Sequence, residues 1–325
     1  MAVRNCTWNC LKRCFNLKLP KVSKTIRIGT RDSELALWQA KTVQTHLETL
    51  GYSTTLVPVK ATGDLLLDKP LYELGITGIF TKTLDIAMLN GSVDIAVHSM
   101  KDVPTRLPKG IVQTAVLERA TSEDILVTKN AFNPIDPCTI ATGSLRRKAQ
   151  WLHRYPHHRV VDLRGNVNTR LQKLEENEWA GAIFAKAGLK RINVLPETFE
   201  ILDWMVPAPA QGAMVVVALE RDDFCVEATA QLNHKPSDIC THIERQFLRT
   251  LEGGCTAPIG ALAQIVGNAI KFKGCLFSLD GKTKLEVANS IPVSEYSGFG
   301  KKAGEEILAN GGTELMADIK SQMKK

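Results

Sequence analysis

The feature that most constrains this chain is a regular alternation of strand-like and helix-like segments from residue 25 to about 219. TIRIG (25–29) is a short strand. SELALWQAKTVQTHLETLG (33–51) follows as an amphipathic helix, with Ser33 at its N-cap and Gly51 as its stop. TTLVPVK (54–60) and VDIAVH (93–98) read as strands on either side of a helix, TKTLDIAML (81–89). The pattern resumes with TIAT (139–142), a helix over 144–154, RVVDL (159–163), a helix over 166–176 and GAIFA (181–185). Strands separated in this way are joined by crossover helices, so the spacing predicts βαβ units and a largely parallel sheet. After about residue 235 the order changes. A helix (237–252) precedes three strand-like runs near 257–265, 269–278 and 283–289, and helices follow to the end. That part reads as a separate α+β domain.

A length of 325 residues is long for a single core and predicts two or three domains. Hydrophobic residues make up 44% and charged residues 23%, as in soluble globular proteins. The longest apolar run, AMVVVAL (213–219), is far shorter than the roughly 18 residues of a membrane span. The net charge of +7 is unevenly placed: Arg4, Lys12, Arg13, Lys18, Lys21 and Lys24 supply +6 of it before residue 25, with no acid among them. The body is nearly neutral, and bulk charge gives no support for nucleic-acid binding. The acid-free tail, with Cys6, Cys10 and Cys14, reads as a disordered extension or the remnant of a targeting segment. In the body, Cys138, Cys225, Cys240, Cys255 and Cys275 are odd in number and show no paired spacing. Free thiols in a reducing compartment, the cytoplasm, are the expectation. No P-loop, no G-x-G-x-x-G fingerprint and no metal-ligand spacing is visible, so neither ordinary nucleotide binding nor a metal is expected.

Three helix starts carry the opposite charge from the usual one. Arg31 stands just before the first helix. In ATGSLRRKAQWL, Ser144 is the N-cap, and Arg146 and Arg147 fall in the first turn. In DLRGNVNTRLQKL, Arg164 precedes a cap at Asn166, and Arg170 lies one turn in. Helix N-termini are partially positive and favour acids. Two consecutive arginines there are a local conflict of the kind found at functional sites, and a bound anion would resolve it. A multi-carboxylate or phosphate ligand is the expectation. VDIAVHSMKDVP places Ser99, Lys101 and Asp102 just past a strand end, where ligands of open α/β sheets sit. Asp102 is either a salt-bridge partner or a lone carboxylate in a basic cleft, able to hold a cation or transfer a proton. His98 reads as a packing or capping residue.

RTLEGGCTAPIGA (249–261) sets a thiol after two glycines. Gly253 and Gly254 either end a helix, with Cys255 a small buried hydrophobe, or clear space for something bulky on its sulfur.

Taken together, IGTRDSELALWQA, TGD, DIAVHSMKDVP, GSLRRKAQ, LRGNVNTRL, AGLKR, PAPAQGA and LEGGC resemble, in order, the porphobilinogen deaminase (hydroxymethylbilane synthase) family, from about residue 25 to the C-terminus. The resemblance implies two α/β domains like type II periplasmic binding proteins, facing each other across a cleft, and a smaller α+β domain. Domain 1 would comprise 25–117 and 213–231, domain 2 118–212 and domain 3 235–325, after a tail over 1–24. It implies a transferase that grows a linear tetrapyrrole on a dipyrromethane cofactor held by a thioether to Cys255. Porphobilinogen loses ammonia, the terminal pyrrole attacks it, and water releases hydroxymethylbilane after four additions. Matching position by position, Ser99, Lys101, Asp102, Thr142, Ser144, Arg146, Arg147, Arg164 and Gly165 would hold the cofactor. Arg31, Ser33, Arg164, Arg170, Arg191 and Gln211 would hold the substrate, and Asp102 would be the catalytic residue. The enzyme would act as a cytoplasmic monomer without metal, membrane or nucleic-acid partner. Departures from the family pattern are Thr77, Thr83 and Gly143; the first two put the contacts of the lid region in question. The rival readings are a non-catalytic polycarboxylate-binding protein on the same fold, a nucleic-acid binder and a thiol acyltransferase. The first gives Cys255 no use, the second lacks aromatics at 6%, and the third lacks a recognisable His–Asp relay.

Overall fold

The computed structural model describes residues 24–59, 81–131, 133–251 and 257–323. Two five-stranded mixed sheets and one three-stranded sheet organise them. Strands are numbered along the chain. The first sheet holds β1 (Ile26–Thr30), β2 (Thr54–Pro58), β3 (Ile95–Ser99), β4 (Ile111–Val116) and β10 (Met214–Leu219), in spatial order β2-β1-β3-β10-β4. β1 is parallel to both neighbours, with Ile28 opposite Leu56 and Ile95. β10 lies antiparallel between β3 and β4, with Val215 opposite His98 and Val116.

The second sheet repeats the plan. It holds β5 (Asp124–Thr128), β6 (Thr139–Ala141), β7 (Arg159–Val161), β8 (Gly181–Ala185) and β9 (Glu200–Ile201), in order β7-β6-β8-β5-β9. β6 is parallel to β7 and β8, whereas β5 is antiparallel to β8 and β9. The sheets are therefore mixed, not largely parallel. The reason is topological. The chain passes from the first sheet to the second before β5 and returns before β10, and each crossing strand runs antiparallel to the βαβ strands of the sheet it joins. As expected, two α/β lobes are followed by a smaller α+β unit.

The apolar run at 213–219 follows from its place in the sheet. β10 is covered on both faces, and such strands read as continuous hydrophobic runs. Val216 packs with Ile28, Ile95 and Val97 beneath Ala40, Val43 and Leu47 of α1 (Glu34–Thr49). Val215 and Val217 face the other way, against Leu84, Ala87 and Met88 of α2 (Lys82–Leu89). The buried positions of α1 recur at helical spacing, from Ala36 through Gln39, Ala40 and Val43 to Leu47. Ser33 takes the N-cap position, but its side chain makes no capping hydrogen bond. At the start of the first sheet, Lys24 Nζ lies 2.7 Å from Asp222 and 3.5 Å from Asp94, and Arg27 also pairs with Asp94. Among the described residues, no helix is long and apolar enough to cross a membrane.

In the third unit, α7 (Lys235–Thr250) packs on an antiparallel sheet of β11 (Ile259–Val266), β12 (Ala269–Phe277) and β13 (Lys284–Pro292). (In the first lobe α6, Asp223–Ala230, follows β10.) Ile239, Ile243 and Phe247 of α7 share one cluster with Phe272. α8 (Phe299–Ile307) crosses α7 at close range, because Gly300 lies over the Ile243 carbonyl and Gly304 over Thr250. A Cβ on Gly300 would collide with backbone, which cannot swing away. Gly300→Ala is therefore expected to lower stability by about 1–3 kcal/mol despite the better helix propensity of alanine. A thermal melt checks this; an unchanged or raised Tm would show that the helices can part at no cost.

Candidate active site

The two lobes present strand ends to one another. In the first, β3 ends at Ser99 and runs into a single 3₁₀ turn, Met100–Asp102. Ser99 Oγ accepts a hydrogen bond from Gln39 Nε2 at 2.8 Å. Lys101 Nζ donates to Gln211 Oε1 at 3.3 Å. Burial lowers the Lys101 pKa to about 8, against the opposing pull of Asp102. Asp102, Arg31, Ser33, His98 and Ser99 line a cavity of about 70 Å³.

In the second lobe, α3 (Leu145–Arg154) begins just past β6. Ser144 is its N-cap, with Oγ accepting from the Arg147 N–H, and Thr142 Oγ1 accepts from the Ser144 N–H. Arg146 and Arg147 both turn inward. The anion that resolves their conflict with the helix dipole is the protein's own Asp124, wholly buried at the start of β5. Arg147 donates to Asp124 Oδ1 from Nε at 3.0 Å and Nη2 at 2.8 Å, and Arg146 Nη1 lies 2.8 Å from Oδ2. Burial alone would raise the Asp124 pKa; the two guanidinium charges outweigh it and hold the carboxyl below the ordinary carboxylate range. Gln211 Nε2 adds a bond to Asp124 at 2.9 Å and another to the Ser122 carbonyl at 2.7 Å. A polar chain thus runs from Lys101 through Gln211 and Asp124 to Arg147, joining one lobe to the other across both crossing segments.

β7 leads to Arg164, Gly165 and α4 (Val167–Glu176), whose N-cap Asn166 accepts from the Thr169 N–H. Gly165 has φ +114°, and a Cβ there would meet Thr169 at 2.7 Å, so only glycine fits. Arg170 Nε donates to the Gly165 carbonyl at 2.7 Å. Its pKa falls to about 10, through burial first and then the Arg147 charge; Asp102 opposes this, and Arg164 and Arg31 add to it. Charges from both lobes therefore meet at Arg170, and among the described residues it has no ion-pair partner. At the end of α5 (Lys186–Arg191), Arg191 Nη2 donates to the Gly212 carbonyl at 2.7 Å, and its guanidinium lies 5.5 Å from the Trp38 ring centre. Burial lowers the Arg191 pKa to about 10.

The structure thus brings Arg31, Lys101, Asp102, Arg147, Arg164 and Arg170 into one cluster. Ser33 and Ser99 share the cavity with Asp102, and Thr142, Ser144 and Arg146 surround the start of α3. Arg191 stands beside the crossing segment instead. Gln211 is 1% exposed, with its side chain committed to Lys101, Ser122 and Asp124. Cys255, both preceding glycines and Thr77 lie outside the described residues. Thr83 lies in the first turn of α2. Gly143 departs from the family pattern where a Cβ would sit 2.5 Å from the Leu163 carbonyl oxygen. The sequence reading missed Asp124 and Glu244. Glu244, also fully buried, accepts from Arg119 Nη1 at 2.6 Å, from the Ala210 N–H at 2.6 Å and from the Ala263 N–H at 2.7 Å. Charge balance was the available signal for Asp124: buried arginines need an acid somewhere. No local pattern marked Glu244.

Comparison with known proteins gives a concordant result. A sequence model described as "Porphobilinogen deaminase, dipyromethane cofactor binding domain" matches residues 26–227, and one described as "Porphobilinogen deaminase, C-terminal domain" matches 239–309. A curated porphobilinogen deaminase of Syntrophotalea carbinolica is 41% identical over 304 residues, covering 91% of this chain and 96% of its own. Another, from Moorella thermoacetica, is 40% identical over 308 residues, covering 92% and 98%. A solved structure, the Bordetella pertussis BvgS periplasmic VFT2 domain, is more distant, at 11% identity and TM-score 0.40, over 64% of this chain and 86% of its own.

The Asp124 pairing carries its own prediction. Asp124→Ala leaves two buried guanidinium groups without their counter-charge and is expected to destabilise by about 3–5 kcal/mol. Asp124→Asn keeps an acceptor and is expected to lose less. Urea unfolding checks both; a midpoint like the wild type in Asp124→Ala would mean that the arginines do not depend on this carboxylate.

Proposed function

This chain belongs to the porphobilinogen deaminase family, and from that premise we propose which of its residues carry the reaction. The enzyme is a transferase. It condenses four porphobilinogen molecules head to tail onto a dipyrromethane primer, releases ammonia, and after hydrolysis yields hydroxymethylbilane for tetrapyrrole synthesis. The proposed domains are 25–117 with 213–231, 118–212 and 235–325, after the tail.

The residues present suit a primer rich in carboxylates. Arg170 is a half-buried cation without an ion-pair partner among the described residues, and the buried Nε atoms of Arg146 and Arg191 have no hydrogen-bond partner among them. Groups of this kind are stabilised by an incoming anion. In this reading Cys255 anchors the primer by a thioether, and Gly253 and Gly254 give it room. Ser99, Lys101, Asp102, Thr142, Ser144, Arg146, Arg147, Arg164 and Gly165 hold it. Bound there, dipyrromethane supplies the nucleophilic pyrrole on which the chain starts. Arg31, Ser33, Arg164, Arg170 and Arg191 take the acetate and propionate arms of porphobilinogen. Gln211 contributes by fixing the crossing segment.

Asp102 is the proposed catalytic residue. Its charge acts on Lys101, Arg147 and Arg170 alike. When ammonia leaves, positive charge develops on the substrate's pyrrole nitrogen, and a fixed carboxylate facing that N–H stabilises it. The same group can take up the proton lost when the new bond is complete. The observation that carries this reading is the Arg170 cluster: buried and half-buried positive charge from two lobes, gathered around one acid at the strand ends. We further propose a cytoplasmic monomer; the free thiols at Cys138, Cys225, Cys240 and Cys275 are in keeping with a reducing compartment.

Two measurements test these assignments. The intact mass of the wild type is expected to exceed that of the polypeptide by a dipyrromethane, and Cys255→Ala to lose both the adduct and activity. An adduct surviving in Cys255→Ala would move the anchor elsewhere. Asp102→Asn is expected to keep the fold and adduct while kcat falls roughly 10²-fold or more and KM changes little, since the lost interaction is made mainly in the transition state. Turnover within a few-fold of wild type would make Asp102 a salt-bridge partner only.

A further inference from the structure

The cavity beside Asp102 is lined by a histidine whose buried ring nitrogen neither the fold nor the reaction described above uses. His98 lies in β3, 7% exposed, and its Nε2 is buried without a hydrogen-bond partner among the described residues. Packing accounts for the imidazole ring, as the sequence reading expected; it does not account for the nitrogen. Buried polar atoms are nearly always satisfied, so an orphan beside a cavity calls for a partner from outside the fold. The cavity holds about 70 Å³, space for roughly two waters at about 30 Å³ each, or for the end of one carboxylate arm. Its other polar lining comes from Arg31, Ser33, Gln39, Thr81, Ser99 and Asp102. Of these, Gln39 and Ser99 are already bonded to one another.

We propose that His98 is a further substrate-contacting residue, whose Nε2–H donates a hydrogen bond to the porphobilinogen carboxylate that Arg31 grips. The inference rests on the reading above, in which Arg31 binds substrate. A carboxylate offers about four lone-pair positions, and a guanidinium occupies two of them, which leaves positions open to a second donor. A neutral donor suits this place better than another cation would, because it completes the grip without adding charge next to Arg31. The structure keeps the imidazole neutral: burial, and secondarily the Arg31 charge, lower the His98 pKa to about 4.

Steady-state kinetics of the holoenzyme test the inference with two variants. His98→Phe keeps a flat ring and removes the donor. It is expected to raise KM for porphobilinogen roughly tenfold with kcat changed far less, the scale of one hydrogen bond to a charged group. Its melting temperature is expected to be unchanged or higher, because replacing an unsatisfied polar atom by carbon removes a penalty. His98→Gln restores a donor at similar reach and is expected to bring KM back to within a few-fold of wild type. If the Phe ring is not accommodated, His98→Leu, which also lacks the donor, carries the same KM expectation. A wild-type KM in His98→Phe or His98→Leu overturns the inference. So does a lowered melting temperature with KM unaffected, which is the signature of a packing role. Arg31→Leu separates the two levels. If it too shows normal KM, the substrate reading of Arg31 fails; if it is impaired while the His98 variants are not, only the His98 inference fails.

Discussion

One buried carboxylate sets the conditions for the rest of the site. Asp124 has no exposure, yet it carries two guanidinium groups that would otherwise sit unpaired at a helix N-terminus, where the dipole already disfavours them. Because it also bonds Gln211, the same residue fixes the return segment between the lobes. Arg146 and Arg147 are therefore placed before any ligand arrives, which is the arrangement that binding and catalysis favour. Partial neutralisation by Asp124 also shifts the centre of positive potential. Beyond it lies Arg170, which has no ion-pair partner among the described residues and feels the charges of Arg164 and Arg31.

The repeated topology explains why both lobes aim their functional groups at one place. In each, parallel strands end where the chain turns into a helix, and the strand arriving from the other lobe fills the antiparallel slot. The ends of β3, β6 and β7 then face a common space, carrying Ser99 to Asp102 from one side and Thr142 to Arg147 and Arg164 to Gly165 from the other. Open α/β sheets place ligands outside such strand ends. Here two sheets do so jointly, which suits a substrate with several carboxylates better than a single lobe would.

Much of this was legible in the sequence. Elements with strong periodicity, such as α1, α3 and α4, were readable within a residue or so at most ends, because apolar spacing and caps at Ser144 and Asn166 report local physics. β4, β5 and β9 were not read: β9 has only two residues, and the place of β4 and β5 in their sheets is decided by where the chain goes next, which no window of residues records. The arginines at helix starts marked the right region, but the sequence offered no means of telling an internal counter-ion from an external one. That distinction depends on Asp124, about twenty positions away and inconspicuous at the head of an ordinary apolar strand. His98 reads in the sequence as a packing or capping residue, and the ring does pack; only three-dimensional accounting of hydrogen bonds exposes its unused nitrogen.

Glu244 has a mechanical consequence. Its two oxygens, on helix α7, receive hydrogen bonds from Arg119 in the outgoing crossing segment, from Ala210 in the returning one, and from Ala263 in β11. Three bodies are pinned through a single dry carboxylate, so none can pivot without stretching a charge-assisted bond. Opening the joint between the lobes therefore works against these bonds. Because that carboxylate sits on α7, a displacement of the third unit reaches both crossing segments through one residue.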